Sequence, residues 1–160
     1  MSRLLTALLA LLALPAVAHA GASHRRSGTT GIGLGAGTTG AGLSAKMFLS
    51  DASAVQAVVG PWGVWGSGGL GLSADYLYEM PTLVEGDVAE LAWNMGAGAG
   101  LGIYSSTALP GVAVSGVAGL EVAFKPAPLD LVVEYRPTLS VVPAVGLSLF
   151  GLTAHLRYFF

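Results

Sequence analysis

Apolar residues alternate with small or polar residues along most of the chain after residue 20. The C-terminal segment shows this most clearly, because Leu152, Leu156 and Phe160 share one face while His155 and Arg157 share the other. Side chains of a β-strand point alternately to its two faces, so this period predicts strands with one apolar face. By this criterion we place strands near 31–37, 42–49, 54–62, 69–79, 89–104, 112–125, 128–140 and 146–160.

The segment from Leu91 to Tyr104 is the most apolar part of the chain after residue 20, and it also predicts a strand. It contains Asn94 and has glycine at every second position from 96 to 102. Each glycine would cost a helix roughly 1 kcal/mol, whereas in a strand the glycines leave one face without side chains. No segment after residue 20 offers the roughly 20 uninterrupted apolar residues of a spanning helix. The predicted fold class is therefore all-β.

Three positions weaken the strand assignment. The segment 52–59 also fits a helical turn, so the residue pattern supports the third strand less well than the other seven. Proline lacks the N–H that a ladder needs, so Pro61 and Pro137 are awkward in a closed sheet. At Pro137 we expect a bulge or an end to regular pairing.

Composition and charge placement favour a membrane for this sheet. The chain is 53% hydrophobic and 10% charged, against roughly 25% charged residues in soluble domains. A lipid-facing Lys or Arg costs about 2–4 kcal/mol near the midplane, so the strand charges should avoid the apolar face, and all of them do. They are Lys46, Asp75, Glu79, Glu90, Glu121, Lys125, Asp130, Glu134, Arg136 and Arg157. A soluble exported barrel that binds an apolar ligand remains an alternative.

The placement of aromatic residues also favours a membrane. With an even number of strands and both termini on one side, the outward aromatic residues collect near one rim, and Trp65 and Phe150 lie toward the other. Such girdles are typical of rings at a membrane–water interface. The predicted girdle comprises Tyr76, Tyr78, Trp93, Phe124, Tyr158 and Phe160. We therefore predict an antiparallel up-and-down transmembrane β-barrel of about eight strands, in contact with a lipid bilayer.

The first 20 residues have the parts of a secretory signal peptide. Arg3 provides the positive start, Leu4 to Val17 the apolar stretch, and Ala18 to Ala20 an A-x-A cleavage signature. We expect cleavage after Ala20, a flexible N-terminal segment over 21–30, and a barrel over 31–160.

The terminal sequence from Leu152 to Phe160 resembles the last strand of bacterial outer-membrane barrels, which ends in an aromatic residue. With the leader, the chain looks like a small eight-stranded barrel of the OmpA/OmpX type. The resemblance implies insertion by the outer-membrane assembly machinery, which would bind the C-terminal strand ending in Phe160. It also implies the outer membrane of a bacterium with a two-membrane envelope, and it carries no activity over.

Inside such a barrel, charged side chains need partners because burying an unpaired charge is costly. We therefore predict a lumenal ion-pair network rather than a solute pathway through the same charges. Its members are Lys46, Asp75, Glu79, Glu90, Glu121, Glu134, Arg136, His155 and Arg157. The glycine-lined wall is expected to be filled by the bulkier inward residues, since eight-stranded barrels are just wide enough for side chains. These are Phe48, Trp62, Leu77 and Tyr104.

The predicted function is a structural or envelope-integrity role, with a narrow pore for small solutes as the alternative. A lipid-modifying enzyme centred on His155 is a further alternative, but Ser148 lies on the opposite face and more than about 20 Å away along the strand. No catalytic residue, cofactor or metal site is predicted, because no ligand cluster is visible. The chain has no cysteine, and its net charge of −2 favours no nucleic-acid partner.

Overall fold

Every regular element of the protein is a β-strand in the computed structural model, which describes residues 24–37, 40–61, 69–104 and 110–160. The strands are β1 (Thr30–Gly37), β2 (Gly40–Ser50), β3 (Ser53–Pro61), β4 (Gly69–Glu79), β5 (Val84–Glu85), β6 (Ala89–Tyr104), β7 (Gly111–Phe124), β8 (Leu129–Tyr135), β9 (Thr138–Val142), β10 (Gly146–Ser148) and β11 (Leu152–Phe159). No helix in these ranges is long and apolar enough to cross a membrane.

One antiparallel sheet closes on itself to form the barrel. Strands that follow one another along the chain pair, and β1 closes the sheet by pairing with β11 from Gly31–Phe159 to Gly37–Thr153. β8 with β9, and β10 with β11, form the last two of eight wall strands, while the short β5 pairs antiparallel with the start of β6, beyond the end of β4. Closure leaves no long strand edge unpaired. The predicted all-β, antiparallel up-and-down barrel is confirmed.

Two prolines explain where the ladder ends or breaks. Pro61 is the last residue of β3, so the strand predicted over 54–62 is present and its proline does not interrupt it. Pro137 separates β8 from β9, as expected. The prediction of one continuous strand over 146–160 was wrong, because β10 and β11 are separated opposite Pro137. A proline without an N–H breaks the ladder on both strands that meet there.

Side chains alternate through the barrel wall with polar groups inside and apolar groups outside. In β11, His155 and Arg157 are buried while Leu152 and Leu156 are more than half exposed. Large apolar residues point outward all around the barrel and are exposed. Examples are Ile32, Leu34, Leu43, Leu72, Leu101, Leu120, Leu131 and Val133. The charged residues of the wall strands are buried inside, whereas Glu85 of β5 is exposed and pairs at a rim with Lys125, which follows β7.

The two ends of the barrel differ. Thr30 and Phe160 exchange backbone hydrogen bonds of 3.4 and 3.0 Å at one end, which we call the terminal end. At the opposite, distal end, β1, β3 and β6 finish and β2, β4 and β7 begin. The predicted aromatic girdle lies toward the terminal end, with four members exposed and Trp93 and Phe124 half-buried. Trp65 lies outside the described residues, and Phe150 is exposed between β10 and β11.

Candidate functional site in the barrel lumen

Lys46 lies in the terminal half of the lumen between two glutamates from other strands. Its Nζ is 2.9 Å from Glu79 Oε1 on β4 and also bonds Glu121 Oε2 on β7. All three side chains are completely buried. Because a charge taken out of water needs a close opposite charge, these contacts tie β2, β4 and β7 together across the barrel.

Arg157 forms the centre of the next group of contacts. Its guanidinium nitrogens lie 2.8–3.2 Å from the Asp130 carboxylate, which faces it in the register of β8 and β11. Another nitrogen donates to Gln56 Oε1 on β3. The Gln56 amide in turn donates to Asp75 at 3.2 Å and to Glu134 at 2.9 Å. Gln56 therefore links the pair Arg157–Asp130 to carboxylates on β4 and β8.

Arg136 completes the network toward the distal end. Its guanidinium group bonds Asp75 and lies 3.3 Å from Glu134. Glu134 Oε2 and His155 Nε2 also form a hydrogen bond of 3.3 Å. The buried polar groups thus form two sets of contacts, one around Lys46 at the terminal end and one that runs from Arg157 to Arg136.

Glycines provide the space that this network occupies. Along β1, each inward glycine faces a buried side chain of β11, with Gly35 opposite His155 and Gly31 opposite Phe159. A Cβ on Gly35 would lie 2.5 Å from His155 Nδ1, and one on Gly98 would lie 1.9 Å from Asp75 Oδ1. Because neither distance is sterically possible, the glycine alternation makes room for charged and aromatic side chains.

Residues 24–29 lie across the terminal end of the lumen. His24 stacks on Phe159 with ring centroids 4.2 Å apart, and Arg25 contacts Glu79 at 2.9 Å. Gly28, whose φ of 87° suits glycine, donates from its backbone to Phe48 O at 2.8 Å. The sequence pattern favoured a flexible segment over 21–30 and did not predict these contacts.

The distal half of the lumen contains a cavity of about 60 Å³ that is partly open to solvent. Its lining consists mainly of glycine, small residues and hydroxyl groups, with Arg136 among them. Phe48 and Leu77 are buried, as the prediction of a filled lumen requires. Trp62 and the Tyr104 side chain lie outside the described part of the structure. The filling thus extends only partway along the described lumen.

Several buried polar atoms lack a hydrogen-bond partner among the described residues. At the terminal end these include His24 Nε2 and Glu121 Oε1, which are 3.8 Å apart. With Asp130 they form a group whose nearest ligand atoms all lie within 4.8 Å of one another. Next to Gly35, Ser44 Oγ and His155 Nδ1 are also without a partner, so no serine–histidine hydrogen bond is formed there.

The structure brings together the residues of the predicted network, although not all in one cluster. Lys46, Glu79 and Glu121 form one group, Asp75, Glu134, Arg136, His155 and Arg157 form another, and Glu90 is buried nearby on β6. Sequence reasoning missed His24, Arg25 and Gln56, and it left Asp130 out of the network. For Asp130 the signal was available, because it lies on the inner face of β8 between Leu129 and Leu131.

Comparison with known proteins identifies no relative: the chain matches no protein-family model, no curated protein and no solved structure.

Replacing Arg157 with alanine is expected to destabilise the barrel strongly. The change leaves Asp130 buried without its partner, a loss that costs about 3–5 kcal/mol when one member of a buried pair is removed. Thermal unfolding in detergent, followed by gel mobility, measures it. The control is Lys125→Ala, which removes a partly exposed ion pair with Glu85 and should change stability by less than about 1 kcal/mol. Equal melting temperatures for Arg157→Ala and the parent protein would rule out the stabilising network.

Two glycines of β6 offer a matched test of the space-making role. Gly98→Ala should destabilise the barrel by about 1–3 kcal/mol, as overpacking does, because its Cβ would meet Asp75. Gly100→Ala should be within about 0.5 kcal/mol of the parent, since its Cβ would have no neighbour closer than 3.6 Å. Denaturant unfolding of both variants measures the difference. The same loss of stability in both would show that backbone effects, not lumenal packing, select glycine here.

Proposed function

We propose that the protein is an integral β-barrel of a bacterial outer membrane, with a structural role in the cell envelope and no open solute pathway. The observation that carries the proposal is the reversed polarity of the wall, apolar outside and charged inside. Monomeric soluble proteins rarely expose contiguous apolar patches larger than a few hundred Å². The outward leucines, isoleucines and valines surround the whole barrel, which suits contact with acyl chains.

Strand length and aromatic placement support the same proposal. Wall strands such as β2 and β4 have 11 residues, which matches the roughly 9–11 residues of a tilted strand crossing a bilayer. Tyr76, Tyr78 and Tyr158 point outward near the terminal end, where an interface girdle would lie. The same proposal includes cleavage after Ala20. It also includes recognition of the strand ending in Phe160 by the outer-membrane assembly machinery.

The filled terminal half of the lumen favours a closed barrel over the narrow pore. Paired charges from facing walls occupy it, together with Phe48 and Leu77, and His24 and Arg25 lie across its end. A soluble barrel for an apolar ligand is disfavoured, because the described lumen is lined by charged groups in one half and by glycine and hydroxyl groups in much of the other. The lipid-modifying enzyme is disfavoured as well, because His155 faces inward and is 1% exposed, away from the apolar outer surface.

Cell fractionation with heat-modifiable gel migration tests the membrane location. The protein should be recovered in the outer-membrane fraction and should change its gel mobility on boiling, because a closed barrel resists unfolding by detergent. The same preparation, reconstituted in a planar bilayer, should give no stepwise conductance. Recovery from the soluble periplasmic fraction would refute the membrane proposal, and reproducible single-channel steps would refute the closed lumen.

A further inference from the structure

The buried charges of the lumen do not balance. Among the described residues, six carboxylates and four groups with fixed positive charge lie inside the barrel, which leaves an excess of two negative charges when the histidines are neutral. The carboxylates are Asp75, Glu79, Glu90, Glu121, Asp130 and Glu134, and the cations are Arg25, Lys46, Arg136 and Arg157. Because a buried net charge is costly, the excess negative charge of the lumen must be offset by bound protons or by a bound cation.

A cation would find suitable ligands at the terminal end. His24 Nε2, a carboxylate oxygen of Asp130 and Glu121 Oε1 lie within 4.8 Å of one another. His24 is 8% exposed and the two acids are fully buried. His24 Nε2 and Glu121 Oε1 face each other at 3.8 Å, and neither makes a hydrogen bond within the described residues. Two buried ligand atoms that face each other without a hydrogen bond are a separate observation from the charge excess.

We propose that the terminal end of the lumen binds one divalent transition-metal ion of the Zn²⁺ type through His24, Glu121 and Asp130. One imidazole with two carboxylates suits such an ion, whereas Mg²⁺ and Ca²⁺ prefer ligand sets made only of oxygen. The two positive charges of the ion equal the excess negative charge of the lumen. The inference goes beyond the proposed structural role, since it depends on the lumen and not on where the barrel is located.

The site needs only a small contraction to reach metal-binding distances. Zn–N and Zn–O bonds of about 2.0–2.2 Å place neighbouring ligand atoms about 3.0–3.5 Å apart, whereas the three ligand atoms lie within 4.8 Å and His24 Nε2 is 3.8 Å from Glu121 Oε1, so the side chains must approach by up to about 1.5 Å. Lys46 bonds Glu121 Oε2 and leaves Oε1 for the ion, whereas Arg157 contacts both carboxylate oxygens of Asp130, most closely Oδ2 at 2.8 Å. Such outer contacts orient metal ligands.

Two positively charged side chains near the site repel a bound metal ion, and nearby carboxylates reduce this repulsion. Lys46 contacts Glu121, and Arg25 Nε lies 3.9 Å from Glu121 Oε1. Both also contact Glu79, whose carboxylate lies between them. Glu90 adds a further negative charge near the site. It is paired in register with Ala123, which lies two residues from Glu121 along β7. Bound metal would fasten residues 24–29 to β7 and β8.

Titration of Zn²⁺ into the metal-stripped protein, purified in detergent, tests the proposal by calorimetry. We expect one ion per chain. His24→Phe should weaken Zn²⁺ binding at least about tenfold, since even the loss of a residue that only hydrogen-bonds to a metal ligand lowers metal affinity by about that factor. This substitution removes the ligand nitrogen and keeps a ring that can stack on Phe159. His24 also precedes β1, so the barrel strands are unchanged and heat-modifiable migration checks that they fold.

His155→Ala is the matched control, because it removes the other buried lumenal histidine and leaves the proposed ligands in place. It should bind Zn²⁺ like the parent protein, and Mg²⁺ at the same concentration should not displace the Zn²⁺. Absence of Zn²⁺ uptake by the parent protein would overturn the proposal, and bound protons would then offset the excess charge. Parent-like affinity in His24→Phe, or an equal loss in His155→Ala, would also overturn it.

Discussion

The ion pair between Arg157 and Asp130 has no exposure to solvent, and it joins the last strand of the barrel to its neighbour while Gln56 extends it across the lumen. In the filled half of the barrel an inward charge has no route to bulk water, so its partner must come from the surrounding wall or from residues 24–29, which lie across the end. Each buried carboxylate or guanidinium therefore constrains the strands on several sides of the barrel. Because the inward positions of the strands hold the charged groups, the apolar residues of the same strands occupy the outward positions.

The network depends in turn on where glycine occurs. Each inward position of β1 is a glycine, and the facing positions of β11 carry Thr153, His155, Arg157 and Phe159. In β6 the glycines at 96 and 98 admit Leu77 and Asp75 from β4. Where the facing residues are also small, as at Gly71 and Gly102, the same pattern leaves the distal cavity. The same alternation of inward glycines thus accompanies both the filled terminal half of the lumen and the distal half that contains the cavity.

Much of this architecture was predictable from the sequence, since period-two alternation determines which side of the wall each residue occupies. It identified the strands, the inward position of Lys46 and the break at Pro137. It did not reveal the group of His24, Glu121 and Asp130, because these residues lie on three separate segments and only closure of the barrel brings them together. Gln56 was missed because an uncharged amide carries no charge signal. The contacts of His24 and Arg25 were missed because a short polar segment with no periodicity gives no prediction of where it docks.

The central claim is that the apolar outer face of the barrel meets lipid, and spin labels on that face test it most directly. The chain has no cysteine, so Leu72→Cys, Leu120→Cys and Leu131→Cys each provide a single labelling site at outward positions of β4, β7 and β8. In reconstituted bilayers, collisions of these labels with oxygen should exceed collisions with a water-soluble nickel chelate. Greater access to the nickel chelate at all three positions would contradict the account.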